Sequence, residues 1–540
     1  MFLSFPTKVS TAVAAGLLAH WGYFVHGERD LQAANIARVH ILAVVLLPCL
    51  LYQLQDLSVT DAVCESLVLD TAYVVALFTS IIIYRVFLSP LRNVPGPPAM
   101  RVSKLVHVWD NTDPTKQNCK MLHQLRAQYG DIVRTGPNEV TLFGWDAYYQ
   151  VHGPESKCER SAYYDILHPM VSLDTTRDPV THSYRRKLWE QAFSIKALDQ
   201  NLPLVYHYAD LLVEQLRKRQ GTQVDLSAWF EYYSFDLMGM LGLTIDFKNL
   251  SDGEHPILWL WHIAHKKLGS LNYAPWIKHL LMGIPFVERI KYYRQFMSWA
   301  NEELDRNIQE NKGERSNIIG LVLRDAMKNG GIKKNWNWVL GDFVLVVAAG
   351  SDPVRQVLPC LLFYLIHEPA QLAHVREELQ SVDIRGYHAL QHLKHFNACI
   401  YETLRLNPAV PSAGLRNPPK GGMTVRGTFI PEGTTICTPQ YSLFRDEACF
   451  LEPDEWIPER FTTRPELILN KSALVPWTIG RRSCLGKNLS LCEIRVAAAL
   501  MISKFDLEPV HSQKEDKLFT HATDYFTTTP GPFHVVLKSC

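Results

Sequence analysis

The sequence predicts a mainly α-helical body with a small β region, preceded by an N-terminal membrane anchor. Three observations carry this expectation. Apolar residues crowd into dense stretches within the first 90 positions, apolar spacing at i, i+3 and i+4 recurs from about residue 100 onward, and short β-branched runs are few. With 47% hydrophobic and 20% charged residues in 540, the chain is built to fold rather than to stay disordered. Lys plus Arg (55) balances Asp plus Glu (54), which excludes a nucleic-acid binder held by a basic excess. The 11 cysteines are odd in number, run from Cys49 to Cys540 and form no C-x-x-C pair. Neither a disulfide framework nor a structural zinc site is expected from them.

Residues 1–88 read as a membrane anchor with one to three transmembrane helices. The apolar stretches are Val9–Val25, Val39–Leu54 and Thr71–Leu88. The third carries one charge, Arg85, and approaches the length a bilayer requires. His20 and Pro48 interrupt the first two, which also suit interfacial or re-entrant helices. Asp56, Asp61 and Glu65 lie between the second and third stretches with no Lys or Arg, whereas Arg92, Arg101 and Lys104 follow the third. Positive charge favours the cytosolic side, so the acidic connection is expected in the lumen and the body in the cytosol. Residues 89–98 (SPLRNVPGPP) cannot continue a helix and read as a stiff proline-rich hinge.

Residues 99–540 form the expected catalytic domain. Helical periodicity marks Lys116–Tyr129, Ala197–Lys218, Val287–Asn311, Asn337–His367 and Pro369–Ser381. The segment Asn337–His367 is apolar on nearly all sides and would run about 45 Å, long enough to cross a domain as its central helix. Asp342, Asp352, Pro353 and Arg355 argue against a membrane span there. Short strands are expected at Ile132–Thr135, Glu139–Leu142, Thr424–Val425 and Thr434–Cys437.

The chemistry concentrates at Trp477–Gly486, where Cys484 stands between two glycines, follows a basic pair and precedes a helical run, Lys487–Ser503. A thiol at a helix N-terminus is biased toward thiolate, and a thiolate suits a transition metal. The same pattern also suits a buried cysteine in a turn.

These residues resemble the haem-binding loop of the cytochrome P450 superfamily, F-x-x-G-x-R-x-C-x-G. Gly480, Arg482, Cys484 and Gly486 match, and Trp477 takes the Phe position. The family's other marks follow in order: His182 to Trp189 resembles the H-x-x-x-R variant of its W-x-x-x-R helix, Ala349-Gly350-Ser351-Asp352 most of its A-G-x-D/E-T motif, Glu402 to Arg405 its E-x-x-R helix, and Pro458 to Phe461 its P-E-R-F motif. The resemblance implies a cytochrome P450 fold carrying haem b (iron protoporphyrin IX), with Cys484 as the axial iron ligand. It implies propionate contacts from Arg482, Arg186, His182 and Arg416, a loop shaped by Gly480 and Trp477, and a structural ion network of Glu402, Arg405 and Arg460. Ala349, Gly350 and Asp352 would handle oxygen and protons, and Val346, Ala413, Leu415 and Phe526 would line the substrate pocket.

Pro353 departs from the family, which places a proton-delivering Thr there. Proline has neither hydroxyl nor N–H, and is expected to kink or open the helix at Ala349–Gly350. The implied activity is a haem-thiolate monooxygenase acting on a lipophilic small molecule with O2, such as a terpenoid, polyketide or indole alkaloid of fungal secondary metabolism. Its electrons would come from NADPH through a flavin-containing NADPH–cytochrome P450 reductase, at the endoplasmic reticulum membrane. Pro353 keeps open an alternative: a haem-thiolate isomerase, dehydratase or peroxide-using enzyme that does not reduce O2.

Overall fold

The computed structural model describes residues 4–113, 116–284, 286–310, 317–412, 414–512 and 517–539. At the N-terminus three helices pack side by side: α1 (Phe5–Ala19), α2 (Ala33–Gln55) and α3 (Val59–Ile83). The segments Asp30–Gln55 and Val59–Leu88 are each long and apolar enough to cross a membrane, with a mean hydropathy of 2.0. By itself α1 has 15 residues, fewer than the roughly 20 a span takes. Asp61 and Glu65, expected in a connection, instead lie within α3. Ser58 caps that helix by accepting the Asp61 N–H at 3.1 Å, and the Asp61 carboxylate suits the positive end of the helix dipole.

The N-terminal helices meet the body at several places, α2 packing on the helix Pro275–Met282 among them. Glu28, between α1 and α2, accepts hydrogen bonds from Arg177 at 2.7 and 2.9 Å, and Arg85, just beyond α3, donates to the Val102 carbonyl at 2.7 Å. The α2–α3 connection therefore lies at the far end of the bundle, where Lys8 pairs with Glu65 at 2.5 Å. The proline-rich segment 89–98 is docked: Leu91 and Val94 are buried with Val140 and Leu142, and the Pro95 carbonyl accepts the Arg134 N–H at 2.6 Å.

The body is helical around one long element. In order come α4 (Pro179–Trp189), α5 (Ile195–Arg217), α6 (Leu226–Met238), α7 (Pro256–Leu268), α8 (Pro275–Met282), α9 (Trp336–His367), α10 (Lys394–Leu406) and α11 (Lys487–Lys504). The central helix α9 packs against α6, α10 and α11, and most of its length is buried. Its apolar surface is thus consumed by the protein core rather than by lipid. The assigned helix is uninterrupted through Ala349–Gly350. Pro353 withdraws the N–H that the Ala349 carbonyl would otherwise receive, but neighbouring elements hold the turn in place.

A five-stranded sheet flanks the helices: β1 (Ile132–Gly136), β2 (Glu139–Leu142), β3 (Glu159–Arg160), β4 (Arg416–Asn417) and β5 (Thr435–Cys437), in the spatial order β1-β2-β5-β4-β3. Only the β2–β5 pairing is parallel. Near the C-terminus β6 (Thr523–Tyr525) and β7 (Thr527–Thr529) form a hairpin with Phe526 at its tip, and β7 packs against α9.

Glu402 and Arg405 of α10 meet Arg460 in a fully buried group. Glu402 accepts from Arg405 at 2.8 Å and from Arg460 at 2.9 Å. The remaining guanidinium hydrogens go to backbone carbonyls, including Phe444, Glu455 and Leu451. Three charges inside a core are tolerable only when satisfied in this way.

Candidate functional site

The loop before α11 is built around Cys484. Gly480 adopts φ +73°, and a Cβ there would stand 2.2 Å from the His152 carbonyl oxygen, so only glycine fits. The Cys484 N–H donates to the Trp477 carbonyl at 3.0 Å, closing the loop, and Trp477 in turn donates its indole N–H to Ser490 on α11. From α4, Arg186 donates to the Ser483 carbonyl at 2.7 Å and to the Ser483 hydroxyl at 3.3 Å, clamping the residue next to the thiol.

Cys484 presents accessible surface although it lies deep within the body. Burial pushes its thiol above the ordinary value, against the opposing pull of the Gly486 and Lys487 N–H groups. Desolvation and the helix N-terminus thus pull this sulfur in opposite directions. A bound cation would reverse that balance.

One side of this space is strongly positive. Arg160 of β3 stands directly across the strand pair from Arg416 of β4. Like charges in register repel unless an anion lies between them. Arg482 joins them, lowered to about 9 by burial and then by Arg160 and Arg416. It donates to the Thr176 carbonyl at 2.9 Å. His182, on α4, is held down to about 3 by burial and by Arg482, Arg160 and Arg186. Partial compensation comes from Asp174, 2.5 Å from Arg160, and Glu159, 3.8 Å from Arg482. The Arg160 Nε is buried without a partner. A sulfur donor beside an excess of buried guanidinium groups fits an iron macrocycle carrying two carboxylates. Arg160 carries no motif and was not anticipated from sequence.

The central helix has one accessible stripe of its own. Ala349 is exposed in the middle of a buried run, with Leu345 and Pro353 partly accessible at i−4 and i+4 on the same face. Gly350 packs on Met238, where a Cβ would come within 2.4 Å of the methionine methyl. Val346, expected to line the pocket, is 2% exposed and packs on Gly242, off the accessible face. Ala413 lies outside the described residues. Leu415 is partly buried in the cluster around Phe143. Phe526, at φ +98°, stacks on Tyr163 with ring centroids 5.8 Å apart.

Asp352 points away from the accessible face into a polar junction. It accepts a hydrogen bond from the Thr527 hydroxyl at 3.0 Å and lies 3.3 Å from Arg355. Arg355 is paired with Glu231 of α6, donates to Thr529 at 2.8 Å, and meets His262 of α7 at 3.2 Å. His262 bridges Glu231 at 2.5 Å and the surface residue Glu254 at 3.2 Å. Burial raises the Asp352 carboxyl, opposed by His265, Thr527 and His262.

Comparison with known proteins is consistent with this geometry. The family model described as Cytochrome P450 matches residues 95–537. The chain is 33% identical over 532 residues to Cytochrome P450 monooxygenase FCK2 of Fusarium pseudograminearum, covering 97% of this chain and 96% of the relative. It is 31% identical to Cytochrome P450 monooxygenase phqL of Penicillium fellutanum (97% and 94% covered) and 29% identical to the Tryprostatin B 6-hydroxylase of Neosartorya fischeri (98% of both). The crystal structure of the cytochrome P450DA heme domain superposes with a TM-score of 0.68 at 18% identity, covering 83% of this chain and 98% of that one, a likeness of fold.

Proposed function

The chain belongs to the cytochrome P450 family, and from that premise we propose that it is a membrane-anchored monooxygenase that oxidises a bulky lipophilic small molecule of fungal secondary metabolism. The observation that carries this reading is Cys484, accessible in a glycine-bounded loop that Arg186 clamps through Ser483, two residues after Arg482 of the buried cation group that includes Arg160 and Arg416.

When bound, haem supplies the redox chemistry by which one atom of O2 enters a C–H or C=C bond and the other leaves as water. The protein's part is to hold, orient and protonate. Cys484 would ligate the iron, while Arg482, Arg416 and Arg160 would neutralise the two carboxylates of the macrocycle and His182 would offer them a neutral hydrogen-bond donor. Arg186 fixes the sulfur indirectly through Ser483, and Gly480 and Trp477 set the shape of the loop. Ala349 leaves space over the metal, and Phe526, propped on Tyr163, forms an aromatic wall for the substrate. The carbon framework is a terpenoid, polyketide or indole alkaloid, the last in line with the tryprostatin B hydroxylase relative. Residues 1–88 anchor the enzyme in the endoplasmic reticulum, residues 89–98 join the anchor to the body, and residues 99–540 face the cytosol. There a flavin-containing NADPH–cytochrome P450 reductase supplies two electrons.

The test is spectroscopic and then stoichiometric. The reduced, CO-bound protein is expected to absorb as a thiolate-ligated haem, and Cys484→Ala to abolish that band. Absence of haem from the purified protein, or an unaltered spectrum in the variant, would overturn the assignment. Product formed at full rate under argon without NADPH would replace the monooxygenase reading with the isomerase or peroxide-using one that Pro353 motivates.

A further inference from the structure

Helix α9 lacks the alcohol its family uses to pass protons, and its own side chains offer no substitute. Position 353 lies on the accessible face with Leu345 and Ala349, but proline has no hydroxyl to place there. Ser351 is buried and its hydroxyl is committed to the Val347 carbonyl at 2.7 Å. The strand β7, packed against α9, carries three alcohols. Of its three threonines, Thr528 is buried and donates to the Pro408 carbonyl, and Thr529 accepts from Arg355. Thr527 alone bonds the acid of the helix, Asp352, at 3.0 Å, and it is partly accessible, beside the hairpin tip Phe526.

We propose that Thr527 supplies, from the β6–β7 hairpin, the hydroxyl that α9 lacks at Pro353, and relays a proton from Asp352 into the space over that helix. This role rests on the monooxygenase reading above. With Asp352 ionised, Thr527 donates to it. With Asp352 neutral the bond reverses, the carboxyl donating to Thr527 Oγ1, and the threonine O–H is released to donate toward the cavity. As that proton leaves, the Asp352 proton takes its place on Thr527 Oγ1 and a carboxylate remains. No electrons move in the exchange. Burial helps by keeping a proton on Asp352 more readily than on an ordinary carboxyl.

The groups that face Asp352 set how readily it holds a proton. Arg355, on its own helix, favours the ionised form. From α7 come His262 and His265, both partly accessible to solvent, and from α6 comes Glu231. The line Glu254, His262, Glu231 runs from the surface to Arg355, the cation beside Asp352, so its charge state tunes the field at that carboxyl.

The test uses the full-length, haem-loaded protein with NADPH–cytochrome P450 reductase and no added organic substrate. Two outcomes of O2 reduction are separable by stoichiometry: one NADPH and one proton per O2 give H2O2, whereas two NADPH and two protons per O2 give two waters. Thr527→Val is expected to raise the share of O2 released as H2O2 at least threefold and to change the solvent deuterium isotope effect, with haem content and the CO-bound spectrum unchanged. Thr527→Ser is expected to behave as the parent, and Pro353→Thr to restore the parent ratio in the Thr527→Val background. Independently of turnover, the infrared carbonyl band of protonated Asp352, assigned with Asp352→Asn, should shift in frequency and titration midpoint in Thr527→Val. An unchanged peroxide share in Thr527→Val overturns the relay, even if the infrared band shifts, because Thr527 would then merely position Asp352. A parent protein that consumes no O2 with NADPH overturns the monooxygenase reading, and this role with it.

Discussion

At the scale of single residues, the cations around Cys484 do most of the electrostatic work. Arg160 faces Arg416 across one strand pair, and Asp174, 2.5 Å from Arg160, offsets this charge only in part. Arg160→Ala should therefore weaken retention of the cofactor, with haem transfer to an acceptor protein about tenfold faster, the loss of one charge-assisted contact on the order of 1.5 kcal/mol. An unchanged transfer rate would remove Arg160 from the site. A different residue sets part of the acid sensitivity. His107 is buried, donates from Nε2 to the Asn118 side-chain oxygen at 2.7 Å, and is held at about 4 by burial and then by Lys104. Its folded value lies below its free value of 6.5, so between the two the unfolded chain binds the extra proton and the fold loses stability as pH falls. His107→Phe should flatten the decline of Tm between pH 6.5 and 4, and an equally steep decline would contradict this account. Cys484 was legible from sequence because its chemistry is compressed into ten contiguous positions. Arg160 was not, since its meaning depends on strand register, and the Thr527–Asp352 contact joins residues 175 apart.

At the scale of elements, the Glu402–Arg405–Arg460 group ties α10 to the segment carrying Glu452 and Glu455. Removing the anion leaves two buried guanidinium groups facing each other. Glu402→Ala is expected to cost about 3–5 kcal/mol, visible as a lower urea midpoint or as loss of folded protein on expression. A variant as stable as the parent would show that the carbonyl contacts suffice. The long helices were readable to within two residues: Ile195–Arg217 against Ala197–Lys218, and Trp336–His367 against Asn337–His367. Their apolar stripes repeat over enough turns to outweigh local noise. By contrast α6, buried over most of its surface, and α7 and α8, with 13 and 8 residues, repeat their pattern over too few turns and went unmarked. Of the kink or opening expected at Ala349–Gly350, α9 shows no break: it runs as one helix there, packed against α6 and β7.

At the scale of the whole molecule, the junction between anchor and body decides where the chain can be cut. Removing residues 1–88 takes away the three-helix bundle but leaves the docked segment in place. Such a protein should still bind haem and should be recovered in larger amounts without detergent. Removing residues 1–98 also takes away the buried Leu91 and Val94 and the Pro95 carbonyl contact. That second truncation should cost about 3–6 kcal/mol further from lost apolar burial alone, read as a lower Tm than the first. Equal stability of the two would show that the segment is only a tether. The opposed guanidinium groups of β3 and β4 have a consequence for biogenesis. With Asp174 offsetting the pair only in part, a chain that has yet to receive its dianionic guest keeps residual repulsion along that sheet edge. Loading should therefore stabilise the fold by mass action, and the haem-free chain is expected to be the readier target of proteolysis.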